Sequence, residues 1–211
     1  GFLAAFTDRC DSAQLIADLD RPYELLIEFK PYSCARPIHN AIDCALQIRR
    51  QHAPNLSRIR AIDMARHPDW AHYHQNARPL TYHEAQVSLP YSVAVALKEG
   101  AALLPQYQNE KLTDPEILRL STMVKIVPDA SLPRGVSCLM TLETSAGTAY
   151  RSQVDHPRGS IANPMTPDEM RGKVHLLADG VIGEAAAGRL IAAAEHVADL
   201  RSARELVELT V

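Results

Sequence analysis

The hydrophobic pattern of this chain changes near residue 160, and this change limits the folds that the chain can adopt. Before it, short alternating apolar runs stand between helical stretches, which is typical of an α+β arrangement. After the loop that closes on Thr166, the remaining sequence reads as about three helices. We therefore predict an α+β domain over residues 1–160 and a C-terminal helical segment over residues 161–211, which is too small to bury its apolar surface alone.

Composition agrees with a folded domain and argues against several classes of partner. The 211 residues hold 22 Lys and Arg against 25 Asp and Glu, for a net charge of −3, with no basic stripe. We therefore expect no nucleic-acid partner. No apolar window approaches the roughly 18 residues that a membrane span requires. The four cysteines are widely spaced without a C-x-x-C pair, which fits reduced thiols. Together these features predict a cytoplasmic protein that does not contact membranes.

A strand followed by a helix is predicted early in the chain. Residues 23–30 (YELLIEFK) have the composition of a strand, which Pro31 ends by removing a ladder donor. Residues 38–48 then carry apolar residues at helical spacing, and Pro37 suits the first helical turn. Because the first residue is not methionine and the opening residues are already apolar, we expect a fragment that lacks an upstream part.

Strands and helices continue up to the change near residue 160. A strand over residues 56–64 is expected to place Ile59 and Ala61 on one face and Ile62 on the other. One helix, buried on all sides, is expected over residues 84–98 and should end at Gly100. The rest of the domain is predicted to be a helix that starts after Asp114 and strands over residues 124–127, 137–144 and 148–154.

The connection between the first strand and the first helix concentrates side chains that can carry chemistry. Lys30 and Arg36 can hold a carboxylate, and His39 can move a proton near neutral pH. Cys34 lies between them, but nothing in the sequence supplies the base of a Cys-His enzyme, so we expect it only to line a site. The plain alternative is a proline-delimited turn after an exposed lysine, and the residues alone leave both interpretations open.

A second polar group, Gln86, Ser88 and Tyr91, stands at the head of the apolar helix. Buried polar atoms need partners, which a substrate carboxylate or a core carbonyl would equally provide.

Histidines further along suggest a third site. His72 and His74, with His83 beyond, would place imidazoles on one face of a strand, as in a metal site. No carboxylate or cysteine completes the set, so we interpret this region as a polar loop and predict no metal.

Four segments also resemble a known family. They are KPYSCARPIHNAIDCA (residues 30–45), EAQVSLPYSVAVALKEG (84–100), DPEILRLSTMVKIV (114–127) and HPRGSIANPMTPDEMRGK (156–173). In this order and spacing they resemble the C-terminal half of the MmgE/PrpD family, which includes 2-methylcitrate dehydratases, cis-aconitate decarboxylases and iminodisuccinate epimerases. The resemblance implies a lid domain of mixed strands and helices, followed by C-terminal helices that belong to a mostly absent all-α domain. It also implies a homodimer.

The function that the resemblance implies is a cofactor-free lyase or isomerase. Such an enzyme abstracts or adds a proton next to a carboxylate of a small di- or tricarboxylic acid, as 2-methylcitrate dehydratase and iminodisuccinate epimerase do. Ala35 stands where some members have a histidine, and Arg36 looks closer to the epimerase-like branch. The isolated chain is expected to be inactive without the helical half. The alternative is a non-catalytic fragment or interaction subunit of the same fold.

Site residues follow from the matched segments. In the family, the lysine at the Lys30 position lies in the active site. The resulting assignment has catalytic Lys30 and His39, and substrate-binding Arg36, Cys34, Gln86, Ser88 and Tyr91.

Overall fold

A mixed sheet forms the centre of the part of the chain that the computed structural model describes, which is residues 26–210 and Ala5, Asp8, Arg9, Asp11, Ala13 and Ala17. Its strands run in the order β2-β1-β3-β4. Strand β1 is parallel to β2 and antiparallel to β3, and β3 is antiparallel to β4. The strands are β1 (Ile59–Arg66), β2 (Val124–Pro128), β3 (Cys138–Thr144) and β4 (Ala149–Val154).

Helices account for most of the other regular structure, and the predicted α+β class is confirmed. Those before the sheet is complete are α1 (His39–His52), α2 (Pro68–Ala71), α3 (Tyr82–Gln86), α4 (Leu89–Glu99), α5 (Asn109–Leu112) and α6 (Pro115–Met123). Those after it are α7 (Pro167–Ile182), α8 (Glu184–Glu195) and α9 (Arg204–Glu208). Short 3-10 turns span Arg36–Ile38, Leu56–Arg58, Leu104–Tyr107 and Val197–Asp199.

The core lies between the sheet and the two most buried helices. Helix α1 packs against β3, β4 and α4, and α6 packs against α4. Residues 89–97 of α4 are all buried, as its uniformly apolar sequence predicts. Ile42 and Ile48 of α1 are fully buried, and α1 packs over strands β3 and β4. Burial of this apolar surface fixes α1, and with it the segment that leads into α1, against the sheet.

The strand predicted for residues 23–30 is wrong where it can be compared. Residues 23–25 lie outside the described residues, and residues 26–30 are exposed and form no strand. The main-chain N–H of Phe29 donates to the carbonyl of Gly159 at 2.9 Å. A strand-like composition needs a neighbouring strand to pair with, and this segment instead meets the loop around residue 159.

The single helix predicted over residues 84–98 is two helices, α3 and α4. Ser88 lies between the two helices and starts α4, because its side chain accepts a hydrogen bond from the N–H of Tyr91 at 3.1 Å and so caps that helix. Pro90 suits the first turn of a new helix but not the interior of a longer one. The predicted end is confirmed, since Gly100 adopts the left-handed conformation with φ of 74°.

The predicted face of Ile59 in β1 is also wrong, whereas Ala61 and Ile62 alternate as predicted. Ile59 and Ile62 are both buried, although strict alternation would place them on opposite faces. The pairing with β3 shifts register between Ile59 and Ala61, and such an irregularity turns the following residues to the other face. Met64 and Arg66 therefore point into the core after Ile62.

The C-terminal helices form a hairpin of α7 and α8 that carries little buried surface. Within α7 no residue is fully buried, and Leu176, Leu177 and Val181 are exposed. None of the helices in the described part of the chain combines the length and the apolar character of a membrane span. The domain boundary near residue 160 stays a prediction.

Candidate functional site

The segment from Lys30 to His39 is a loop that main-chain hydrogen bonds hold in place. The N–H of Ser33 donates to the carbonyl of Ala102 at 3.0 Å, and the N–H of Ala35 donates to the carbonyl of Gln86 at 2.8 Å. The guanidinium of Arg66 donates from Nη2 to the carbonyl of Pro37 at 2.8 Å. Sequence reasoning missed Arg66, because a buried arginine at the end of a strand looks like an ordinary exposed one.

His39 is the first residue of α1 and is completely buried. Neither ring nitrogen has a hydrogen-bond partner of normal geometry among the described residues. Burial lowers the pKa of His39 to about 3, and the positive charges of Arg36, Lys30 and Lys173 act in the same direction, while the main chain at Cys34 acts against it. The imidazole is therefore neutral at physiological pH and surrounded by cations.

Arg36 lies one helical turn before His39. Its Nε donates to Glu28 Oε2 at 3.0 Å, and its Nη2 lies 2.9 Å from the same oxygen. Nη1 of Arg36 is buried without a hydrogen-bond partner in the described part of the molecule. Arg36 thus keeps donors that an anion next to His39 can use.

Lys173 is a further cation of this site that the sequence did not single out. It lies on α7, and its Nζ donates to the main-chain carbonyl of Lys30 at 2.6 Å. Burial and the positive charge of Lys30 lower the pKa of Lys173. Its position at the end of the last matched segment, HPRGSIANPMTPDEMRGK, was the signal that could have found it.

Tyr32 and Asp43 form the second pair that sequence reasoning missed. The Tyr32 hydroxyl donates to Asp43 Oδ1, and the N–H of Arg158 donates to Asp43 Oδ2 at 2.7 Å. The Tyr32 ring stands edge-on to the His39 ring, with 5.1 Å between the centroids. Burial raises the pKa of Tyr32 and of Asp43 above their usual ranges.

A cavity of about 310 Å³ adjoins these residues. The cationic side of its wall comes from Arg158 and Lys173, and Tyr32 also lines it. Leu103, Met165 and Leu176 form an apolar part of the wall. The guanidinium of Arg158 is already paired with Glu169, at 3.0 Å from Nε to Oε1, so Lys173 is the freer of the two cations.

Cys34 is buried, with 3% of its surface exposed. Burial raises the pKa of its thiol to about 11, against the opposing influence of Tyr107, Lys30 and Ser92. A thiol in this state is a poor nucleophile. Its predicted role as a lining residue stays a prediction.

Gln86, Ser88 and Tyr91 each have partners within the fold. Nε2 of Gln86 donates to the carbonyl of Ser33 at 2.7 Å, and the Ser88 hydroxyl donates to the carbonyl of Asn76. The Tyr91 hydroxyl donates to the carbonyl of Gln106 at 2.9 Å, so this buried tyrosine has the core carbonyl that the sequence allowed as one alternative. Lys30, Arg36 and His39 lie in one segment, and the charges of Lys30 and Arg36 act on the His39 imidazole. Of the second group, Gln86 hydrogen-bonds to that segment at Ser33 and Ala35. Substrate binding by this second group stays a prediction.

The structure does not bring His72, His74 and His83 together as the ligands of one site. Nδ1 of His74 lies 2.9 Å from the carbonyl of Val87, and the His72 ring packs on Tyr73. Within the described residues, no three His, Cys, Asp or Glu side chains converge as a metal site requires.

Comparison with known proteins finds the same family throughout. The sequence model of the MmgE/PrpD C-terminal domain matches residues 32–199. Cis-aconitate decarboxylase of Mus musculus is 22% identical over 195 residues, which cover 87% of this chain and 39% of that protein. Cis-aconitate decarboxylase of Aspergillus terreus (strain NIH 2624 / FGSC A1156) is 23% identical over 205 residues, which cover 88% of this chain and 41% of that protein. The chain therefore spans about two fifths of the length of these curated relatives.

Proposed function

Since this chain belongs to the MmgE/PrpD family, we propose that it is the C-terminal part of an enzyme that moves a proton next to a carboxylate of a small di- or tricarboxylic acid. The observation that carries the proposal is the neutral, buried and unpartnered His39, with Lys30, Arg36 and Lys173 around it. Three cations around a neutral base suit a substrate with more than one carboxylate, because each negative charge gains a counter-ion.

The chemistry of this site follows from charge. A proton that leaves the carbon next to a carboxylate leaves an enediolate, whose extra negative charge Lys30, Arg36 and Lys173 would stabilise. His39 would accept that proton. Burial lowers the pKa of His39, and the charges of Arg36, Lys30 and Lys173 lower it further. A bound polycarboxylate would offset the repulsion from these cations and so raise that pKa in part. His39 would thus be a stronger base when the substrate is bound.

Three reactions on this scaffold share a carbanion or enediolate that the cations would stabilise. Loss of hydroxide from the neighbouring carbon gives dehydration, and return of a proton to the opposite face gives epimerisation. In decarboxylation, a carboxylate leaves as CO₂ and the carbanion takes a proton. The curated relatives are cis-aconitate decarboxylases. Ala35, which stands where some members have a histidine, argues against decarboxylation, and Arg36 favours the epimerase-like alternative. A shared fold does not choose among these reactions.

The test is proton NMR in deuterated buffer with 2-methylcitrate, cis-aconitate and iminodisuccinate. We expect deuterium incorporation or turnover of one acid by the complete gene product, and none by the 211-residue chain alone. The same assay on Lys30→Met should lose the signal, and Lys125→Met, an exposed lysine of β2, should retain it. Enzyme-like turnover by Lys30→Met would contradict the assignment of this site.

A non-catalytic interaction subunit is the second candidate. The exposed apolar side chains of Leu176, Leu177 and Val181 on α7 favour it, because they require a covering surface in solution. On this alternative, Lys30→Met changes neither acid binding nor turnover, since the wild-type protein shows neither.

A further inference from the structure

Asp43 connects the two halves of the candidate site. It lies on α1 one turn after His39, and only 7% of its surface is exposed. Each of its carboxylate oxygens has a different donor: Oδ1 accepts from the Tyr32 hydroxyl, and Oδ2 accepts from the main-chain N–H of Arg158. An asparagine in its place could keep the N–H of Arg158 on its Oδ1 only by turning its NH₂ group toward Tyr32, whose hydroxyl would then have to accept a hydrogen bond instead of donating one.

On one side, Asp43 determines where the Tyr32 ring stands. That ring packs edge-on against His39. No hydrogen bond of normal geometry holds the His39 imidazole among the described residues, although the main chain at Cys34 lies near enough to act on it. The edge-on Tyr32 ring is therefore a packing contact that helps to orient the imidazole. Tyr32 also follows Lys30 by two residues in the chain.

Through its hydrogen bond with the Arg158 N–H, Asp43 also begins a series of contacts that leads to Lys173. The Arg158 guanidinium pairs with Glu169 through Nε at 3.0 Å and with Asn163 through Nη1 at 2.9 Å. Glu169 accepts from the N–H of Thr166 at 2.7 Å and so caps α7. Lys173 stands one turn further along this helix.

These contacts form a closed ring, because Lys173 donates to the carbonyl of Lys30. The members of the ring, in order, are Asp43, Tyr32, Lys30, Lys173, Glu169 and Arg158. A further hydrogen bond joins the neighbours of Lys30 and Arg158, since the Phe29 N–H donates to the Gly159 carbonyl at 2.9 Å. Asp43 is the buried member of this ring that contacts both its Tyr32 side and its Arg158 side. Charged groups facing Asp43 are Arg50 and Arg36, which favour its ionised form, while burial opposes it.

We infer that Asp43 is a positioning residue, which sets the orientation of His39 through Tyr32 and the separation of Lys30 and Lys173 through Arg158. The inference rests on the proposed function for its effect on a substrate, but not for its effect on His39. Asp43 does not touch the reacting acid; it acts through these neighbours.

The experiment uses the complete gene product with ¹³C-labelled histidine. His39 resonances are assigned by their loss in His39→Gln. The variants are Asp43→Asn, Tyr32→Phe and both together. Matched controls are Asp129→Asn, in an exposed turn, and Tyr150→Phe, whose ring stacks on His52. Each protein is examined for its His39 resonances, its thermal midpoint and its affinity for cis-aconitate.

We expect both single variants to shift the His39 resonances and to weaken cis-aconitate binding by about fivefold or more, as loss of a buried hydrogen bond would. The double variant should be no weaker than Asp43→Asn alone, because both changes remove the same contact. The controls should shift no His39 resonance. Unmoved His39 resonances in folded Asp43→Asn, or effects that multiply in the double variant, would overturn the inference.

Two further outcomes separate this inference from the proposed function. If wild-type protein binds no polycarboxylate, the proposed function fails, and the His39 resonances alone still decide the role of Asp43. If Asp43→Asn does not fold, Tyr32→Phe decides, because it removes one hydroxyl and keeps the ring. Unshifted His39 resonances in Tyr32→Phe would then refute the positioning role.

Discussion

The ammonium group of Lys173 donates to the main-chain carbonyl of Lys30 at 2.6 Å, although 143 residues separate them in the chain. Burial lowers the pKa of Lys173, and the positive charge of Lys30 lowers it further. Like charges held together by a fold repel each other until an anion binds between them. This relationship is the basis for expecting a polycarboxylate there.

The substitution Lys173→Gln tests whether α7 contributes a charge to the candidate site. Glutamine can still donate to the Lys30 carbonyl, but it brings no charge. We expect the affinity of the complete gene product for cis-aconitate to fall about tenfold, as loss of a charge-assisted contact would predict. Lys125→Gln on the exposed edge of the sheet is the control and should bind as the wild type does. Titration calorimetry measures both, and equal affinities in the two variants would contradict a role for Lys173.

His39 predicts a specific dependence of stability on pH. Its pKa is lowered from 6.5 to about 3 in the folded protein, so at pH 5 the unfolded chain binds a proton that the folded one does not. Stability is therefore lost as pH falls below about 6.5, and the loss is complete near pH 3. At pH 5 this amounts to about 2 kcal/mol. Urea unfolding at pH 8 and pH 5 should show this loss in the wild type but not in His39→Gln. Parallel losses in the two proteins would show that His39 does not titrate in this way.

Gly159→Ala should destabilise the protein and disturb the loop before Lys30. Gly159 has φ of +85°, and an added Cβ would stand 2.0 Å from the Phe29 carbonyl oxygen. We expect a loss of more than about 1 kcal/mol, because both the backbone conformation and the contact are unfavourable for alanine. Gly147→Ala is the control, since its φ is +82° but open space surrounds it. Thermal unfolding should rank Gly159→Ala as the less stable variant, and the reverse order would be inconsistent with the close contact.

Cys34 should resist alkylation in the folded protein. Its thiol is buried and has a pKa of about 11, so little thiolate is present at pH 8. Iodoacetamide followed by peptide mass spectrometry should label Cys34 only after addition of urea. Rapid labelling without urea would mean that Cys34 is open and activated, which would restore it as a candidate nucleophile.

Local sequence signals predicted most of the regular structure, and they failed where a neighbour decides the outcome. Asp114 with Pro115, and Thr166 with Glu169, mark the starts of α6 and α7, because capping depends on a few adjacent residues. The strand predicted for residues 23–30 was wrong for the described residues 26–30, since a strand exists only when another strand pairs with it. The helix over residues 84–98 was too long because the cap signal of Ser88 was missed.

The same distinction between local sequence signals and effects of the fold applies to the candidate site. Lys30, Arg36 and His39 could be predicted because they lie in one short segment. Asp43 and Lys173 also lie in matched segments, but their contacts with Tyr32 and with the Lys30 carbonyl exist only in the fold. The contact of Arg66 with the Pro37 carbonyl likewise depends on the fold.

The sequence by itself determined the α+β class, the family and the loop that carries Lys30, Arg36 and His39, because these depend on local periodicity and on a motif of adjacent residues. Only the tertiary structure decided that α7 brings Lys173 to the carbonyl of Lys30. It also decided that burial keeps the His39 ring neutral. Burial and the approach of distant charges are properties of packing, and no spacing along one chain segment specifies them.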